Sequence, residues 1–160
     1  MINATRLTYF CPQDDAETAL LAQVQSAKKT VRLCDYSYNL QNLTQILISL
    51  FKAGVDVSLV LDSSQAKGST EVPEVTEIKS SGIPLVIGES SDHKIVHSKY
   101  VVIDDSIVCS GSYNFTNVAG QEDNFMDVET SSDRAAAFTE NWQQIRQWIV
   151  TNIPTGVFNQ

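Results

Sequence analysis

The residues best suited to chemistry lie in the second half of the chain. His97-Ser98-Lys99 is followed by Asp104 and then by Gly111-Ser112-Tyr113-Asn114. An imidazole, an ammonium, a hydroxyl and a carboxamide make a set fitted to a phosphoryl oxyanion. Lys99 supplies charge, Ser112 and Asn114 supply oriented donors, and His97 is the member able to act as nucleophile or to move a proton near neutral pH. Alternation of side chains along a strand points His97 and Lys99 the same way, and Ser112 and Asn114 likewise. A hairpin joining the two segments would put all four on one surface. A bland alternative stands beside this one: a strand histidine is commonly a hydrogen-bonded ring at a core edge, and Gly-Ser next to Asn is commonly a turn.

Positioning such a set requires a sheet. Apolar patterning predicts strands over 5–11, 31–37, 55–61, 83–87, 95–103, 107–112 and 125–130. Helices are expected between them. The first opens at Asp14 and Asp15, carries Ala16, Leu20, Val24 and Ala27, and ends at Lys28-Lys29. A second is capped by Asn39 and stopped by Gly54, a third covers 74–81, and a last one runs over 133–149. Residues 104–106 are too few for a helical crossover, so the strands they join must be antiparallel. The expected fold is an α/β class, α-β-α sandwich around a mixed sheet. The chain reads as one domain with a core over about 5–149, a polar and mobile loop at 62–70, and a frayed tail at 150–160.

Composition narrows the function. Nineteen acidic against eleven basic residues give a net charge of −8, which opposes strong non-specific binding to long nucleic acid but permits a local basic cleft. Cys11, Cys34 and Cys109 are odd in number and widely spaced, so they read as small buried hydrophobes and not as a disulfide framework. Two histidines, with no clustered thiols and no paired carboxylates near the motif, leave little from which to build a metal site, so neither metal nor cofactor is expected. No signal-like start and no long apolar run is visible. A cytoplasmic setting is the first expectation, a periplasmic or secreted one being compatible if a leader has been removed, and no stable membrane association is expected.

His-x-Lys-x4-Asp followed closely by Gly-Ser-x-Asn resembles the signature of the phospholipase D superfamily. His97, Lys99 and Asp104 match its first part and Gly111, Ser112 and Asn114 its second. Tyr9-Phe10-Cys11-Pro12, Ala53-Gly54-Val55-Asp56-Val57, Ser81-Gly82-Ile83-Pro84-Leu85 and Asn114-Phe115-Thr116 are similar to the small single-motif bacterial endonuclease branch. Where that family has Asn-x-Glu-Asn, this chain has Gln121-Glu122-Asp123-Asn124. The resemblance thus implies that Asp123, or Glu122 in its place, orients the histidine.

The resemblance also implies a mechanism: metal-independent phosphodiester cleavage through a phosphohistidine on His97, with the partner chain's histidine protonating the leaving oxygen. One motif per chain then implies a homodimer whose twofold axis passes through the site. Asp104 reads as a structural carboxylate closing its turn. His93, Lys94, Tyr36 and Tyr113 are candidates for the substrate rim, with Lys67, Lys79 and Tyr100 as further groove candidates. The expected substrate is DNA, or RNA, cut with low sequence specificity. Phospholipase or phosphatidyl-transfer activity and a weakly active phosphate-binding domain are the alternatives.

Overall fold

The computed structural model describes residues 5–160. Eight strands form one mixed sheet: β1 (Thr5–Cys11), β2 (Thr30–Asp35), β3 (Asp56–Asp62), β4 (Leu85–Gly88), β5 (Tyr100–Ile103), β6 (Ile107–Gly111), β7 (Asn124–Thr130) and β8 (Val157–Phe158). Their order is β1-β7-β6-β5-β2-β3-β4-β8. Only β2-β3 and β3-β4 pair in parallel; every other neighbour is antiparallel. Helices α1 (Ala16–Gln25), α2 (Gln41–Lys52) and α3 (Val72–Ser81) lie along one face, and α4 (Ser132–Asn152) covers the other. The chain is therefore the α-β-α sandwich that its patterning predicts.

Alternation along the strands sorts the core into two layers. Val31, Leu33, Val57, Leu59, Leu61, Val101 and Ile103 pack with the first three helices. Cys34, Val60, Val86, Tyr100, Val102 and Val108 pack with Ala135, Trp142 and Ile149 of α4. The Trp142 indole also donates to the Leu33 carbonyl at 2.9 Å, so the aromatic anchor of α4 is satisfied at both its apolar body and its polar tip.

Several expected boundaries shift. Residues 95–99 are not strand, because the β5 ladders begin at Tyr100 on both sides, against Cys34 and against Ser110. The first helix ends at Gln25, and the backbone N–H groups of Lys28 and Lys29 go instead to the Asp104 carboxylate, at 2.8 and 2.7 Å. Asn39 does not cap α2. Its Oδ1 accepts from the Asn117 N–H and its carbonyl from the Asn117 amide, tying the helix entry to the loop after β6. The 62–70 loop is a run of turns gripped at either end by buried Asp62 and Glu71. The tail is not frayed: α4 runs to Asn152 and β8 pairs with β4. There Gly156 sits so close to β4 that a Cβ would fall 2.0 Å from the Ile87 carbonyl oxygen.

Candidate active site

Two strands end in buried carboxylates, and these set the site. Asp35 closes β2 with no exposed surface; its oxygens accept from the Tyr36 N–H at 3.0 Å and the Phe115 N–H at 2.8 Å. It thereby joins the end of β2 to the segment that carries Asn114. Asp62 closes β3, also buried, and accepts from the Val96 N–H at 2.7 Å and the Ser64 N–H at 2.8 Å. Since 95–99 lacks ladder partners, that bond fixes the backbone one residue before His97.

Lys99 is buried, and its ammonium donates to the His97 carbonyl at 2.6 Å while lying 5.0 Å from the centre of the Tyr36 ring. The Tyr36 ring meets His97 edge to face, centroids 4.8 Å apart. His97 is exposed, whereas the lysine beside it is not. Burial pulls the Lys99 ammonium below its ordinary value, and the Asp35 charge pulls it back up. Burial in turn pushes the Asp35 carboxyl well above the carboxylate range, opposed by the Phe115 N–H, by Lys99 and by the Tyr36 N–H. The result is an accessible imidazole beside a desolvated ammonium, whose nearest counter-charge is itself walled off from solvent. An anion reaching His97 would meet a cation made strong by its low-dielectric surroundings.

The other expected site residues divide. Strand alternation does not gather the four groups on one surface, since 95–99 is not strand and β6 ends at Gly111. Gly111 is required by β7, because a Cβ there would lie 2.2 Å from the Phe125 carbonyl oxygen. The Ser112 hydroxyl donates to Asn124 Oδ1 at 3.0 Å and accepts from the Phe125 N–H at 3.1 Å, so it braces the β7 entry. The Asn114 side chain makes no hydrogen bond among the described residues, and its Oδ1 is buried.

Tyr113 is not on a rim. It is buried in the layer under α1–α3, on the same alternation as Cys109, and burial raises its phenol. Asp104 is structural, but it grips the α1–β2 connection, accepting from the N–H groups of Lys28, Lys29 and Thr30. Asp123 is exposed, and Glu122 accepts from the Asn124 amide at 3.2 Å. No hydrogen bond within the described chain runs from either to His97. His93 is exposed and bonds to Glu89 at 2.7 Å. With Lys94 and Ile95 it lines a shallow depression of about 280 Å³ next to Asp62 and Ser64. Tyr36 is the rim candidate that does touch the histidine.

The family model described as cardiolipin synthase, phospholipase D-like domain, matches residues 20–148. The chain belongs to the phospholipase D-like family. Among curated relatives it is 28% identical over 137 residues to "Phospholipase D" of Rickettsia prowazekii, covering 84% of this chain and 64% of that protein. It is 29% identical over 116 residues to "Mitochondrial cardiolipin hydrolase" of Xenopus laevis, covering 69% of this chain and 52% of that one. It thus spans less than two thirds of the length of either. Among solved structures, Nuc of Salmonella typhimurium, a phospholipase D family member, superposes with a TM-score of 0.84 at 28% identity, covering 91% of this chain and 95% of Nuc. NucT of Helicobacter pylori shares the fold, with a TM-score of 0.78 at 16% identity over 98% of this chain and 99% of that one.

Asp35 and Asp62 are the parts of this phospholipase D-like site that reading the sequence misses. Both follow an apolar strand as its last residue, in Leu33-Cys34-Asp35 and Val60-Leu61-Asp62. A lone acid at the carboxyl end of a covered parallel strand is the signal that would have found them. Among the described residues, no three His, Cys, Asp or Glu side chains gather so as to hold a metal ion.

Proposed function

We propose that this chain is a metal-independent nuclease cutting DNA or RNA with little sequence preference, through a site shared by two copies. The observation that supports the reading is the whole-length match to Nuc, which covers 91% of this chain and 95% of Nuc, together with the one His-Lys pair, His97 and Lys99, that this chain carries. His97 would attack phosphorus as the neutral imidazole. The P–N bond forms, the P–O bond to the leaving group breaks, and the partner's imidazolium gives that oxygen its proton. Water, deprotonated by the partner's imidazole, then cleaves the P–N bond. Lys99 and the Asn114 amide nitrogen would hold the non-bridging oxygens. Attack and departure lie on opposite sides of phosphorus, so one imidazole cannot serve both, and this is the support for a dimer.

A phospholipid diester is the second reading, favoured by the names of the curated relatives. No helix among the described residues is long and apolar enough to cross a membrane. Single-stranded DNA, duplex DNA, single-stranded RNA and phosphatidylcholine vesicles, each incubated with the protein in excess chelator, separate the readings. Cleavage of a nucleic acid in chelator is expected. Turnover of the lipid alone, or activity that returns only with added Mg²⁺ or Mn²⁺, would reject the proposal.

A further inference from the structure

Beside Lys99, on the α4 side of the sheet, lies a cavity of about 460 Å³ that none of the steps above uses. Tyr100 and Phe138 form its aromatic wall, their rings edge to face with centroids 4.8 Å apart, and Ala137 continues that wall along α4. Ser98, Ser110 and Asn141 supply its polar groups. The Asn141 Oδ1 accepts from the Tyr100 hydroxyl at 2.8 Å, which leaves the amide nitrogen available as a donor. No hydrogen bond among the described residues engages that nitrogen or the Ser98 hydroxyl. Lys99 belongs both to this cavity and to the cluster with His97 and Tyr36.

We propose that this cavity is a nucleobase subsite, holding the base of a nucleotide next to the phosphate that reaches His97. The inference rests on the nuclease reading and says what that reading leaves open, namely which part of the substrate is gripped beside the diester. A flat heterocycle needs an apolar or aromatic wall together with a few donors and acceptors at its edge, and the cavity offers that combination. Ser98 accepts or donates and the Asn141 amide donates, so ring carbonyls and ring nitrogens of different bases are served alike, in keeping with low sequence preference. An acyl chain fits less well, since it would strip water from both polar groups and return no hydrogen bond to either.

The test compares a diester that bears a base with one that does not. Thymidine 3′- and 5′-(p-nitrophenyl phosphate) are the base-bearing probes, and methyl p-nitrophenyl phosphate is the base-free one. For at least one thymidine isomer, the wild-type chain is expected to show kcat/KM at least about tenfold above the base-free probe, the scale of one stacked base. Ala137 is exposed on a regular helix, so Ala137→Trp fills the cavity at little cost to folding. This variant should bring the ratio to near one while leaving hydrolysis of the base-free probe at the wild-type rate. Asn141→Ala, which removes volume and a donor, should lower the ratio several-fold. A wild-type ratio near one, a ratio that survives Ala137→Trp, or equal losses on both probes would each overturn the subsite. Loss of dihexanoyl-phosphatidylcholine turnover in Ala137→Trp, with the thymidine ratio intact, would assign the cavity to an acyl chain instead. Failure of the wild-type protein to cut any oligonucleotide would fall on the nuclease reading. Oligonucleotide cleavage without base preference on the small probes would fall on the subsite alone.

Discussion

The middle of the sheet and its β1–β7 flank share one hydrogen-bonded ladder but solve different problems. Around β2 and β3 both faces are covered, the strands are mostly apolar, and each ends in a carboxylate that holds a neighbouring segment by its backbone. The flank is antiparallel, and Leu7, Phe10 and Phe125 stand exposed on it. Phe10 and Phe125 are register partners, so their rings share a face. Parallel strands are found almost only where they are covered, and here their covered ends hold 95–99, a segment outside the strand ladders. The antiparallel flank needs cover on one face only, and so it leaves apolar surface to spare. In this molecule the candidate site is held by the region that is covered on both faces.

Substitutions graded from the centre outward sharpen the contrast. His97→Ala is expected to cost at least about a hundredfold in turnover with hardly any change in Tm, because the ring is exposed. A variant keeping a tenth of the wild-type rate would remove His97 from the chemistry. Asp62→Asn comes next. Its amide must turn NH2 toward either the Val96 or the Ser64 N–H, leaving a buried donor unpaired, at about 1–3 kcal/mol in denaturant unfolding. Because Asp62 reaches His97 through the backbone of Val96 and not through the substrate, kcat should fall while KM stays near wild type. An unchanged kcat would end its positioning role.

Asp104→Asn tests a carboxylate outside the site. Burial raises its carboxyl, but the N–H groups of Thr30, Lys28 and Lys29 together outweigh that and leave it below the usual value. A depressed folded value means stability that is present above about pH 4 and lost as pH falls through the folded value. The variant should lose about 1–2 kcal/mol at pH 7 and show a flatter acid limb in pH-dependent unfolding, with turnover nearly intact. An acid limb as steep as wild type would show that the clamp does not carry it.

Lys99→Met should have the opposite sign on stability. Burial holds the folded ammonium below its ordinary value, so the unfolded chain keeps that proton better. The charged group therefore opposes folding at pH 7, and the penalty fades as pH rises through the window between the folded and unfolded values. Tm at pH 7 should rise while turnover is lost, and a fall in Tm would contradict the account of its desolvation. Phe10→Thr and Phe125→Thr, at the far flank, should change unfolding free energy by less than about 0.5 kcal/mol each. A loss of several times that would mean the flank is packed as tightly as the centre.

Periodicity makes the layers legible in the sequence, because a parallel strand covered twice and a helix covered once leave different apolar rhythms. His97 and Lys99 are legible as a typed pair at fixed spacing. Asp35 and Asp62 carry only their place at the carboxyl end of an apolar strand as a signal, since an acid there reads equally well as a turn and its partners lie far along the chain. Placing Tyr113 on a rim is an avoidable error: alternation carried on from Cys109 through Gly111 already sends it into the core. Asn39 cannot be placed from sequence, because an Asn before a helix serves as a cap unless another loop competes for its oxygen, and here Asn117 does.

The two-residue strand β8 has a role out of proportion to its length. It lies on the outer side of β4, whose other side is taken by β3, so the parallel core is not left with a row of bare amides and carbonyls. Such a row is a template for another chain's strand. Gly156 gives the closing segment its approach to Ile87, and any side chain there would hold it off. Residues 153–158 therefore work as a sacrificial neighbour. They occupy the outer side of β4, where the strand of another molecule could otherwise pair.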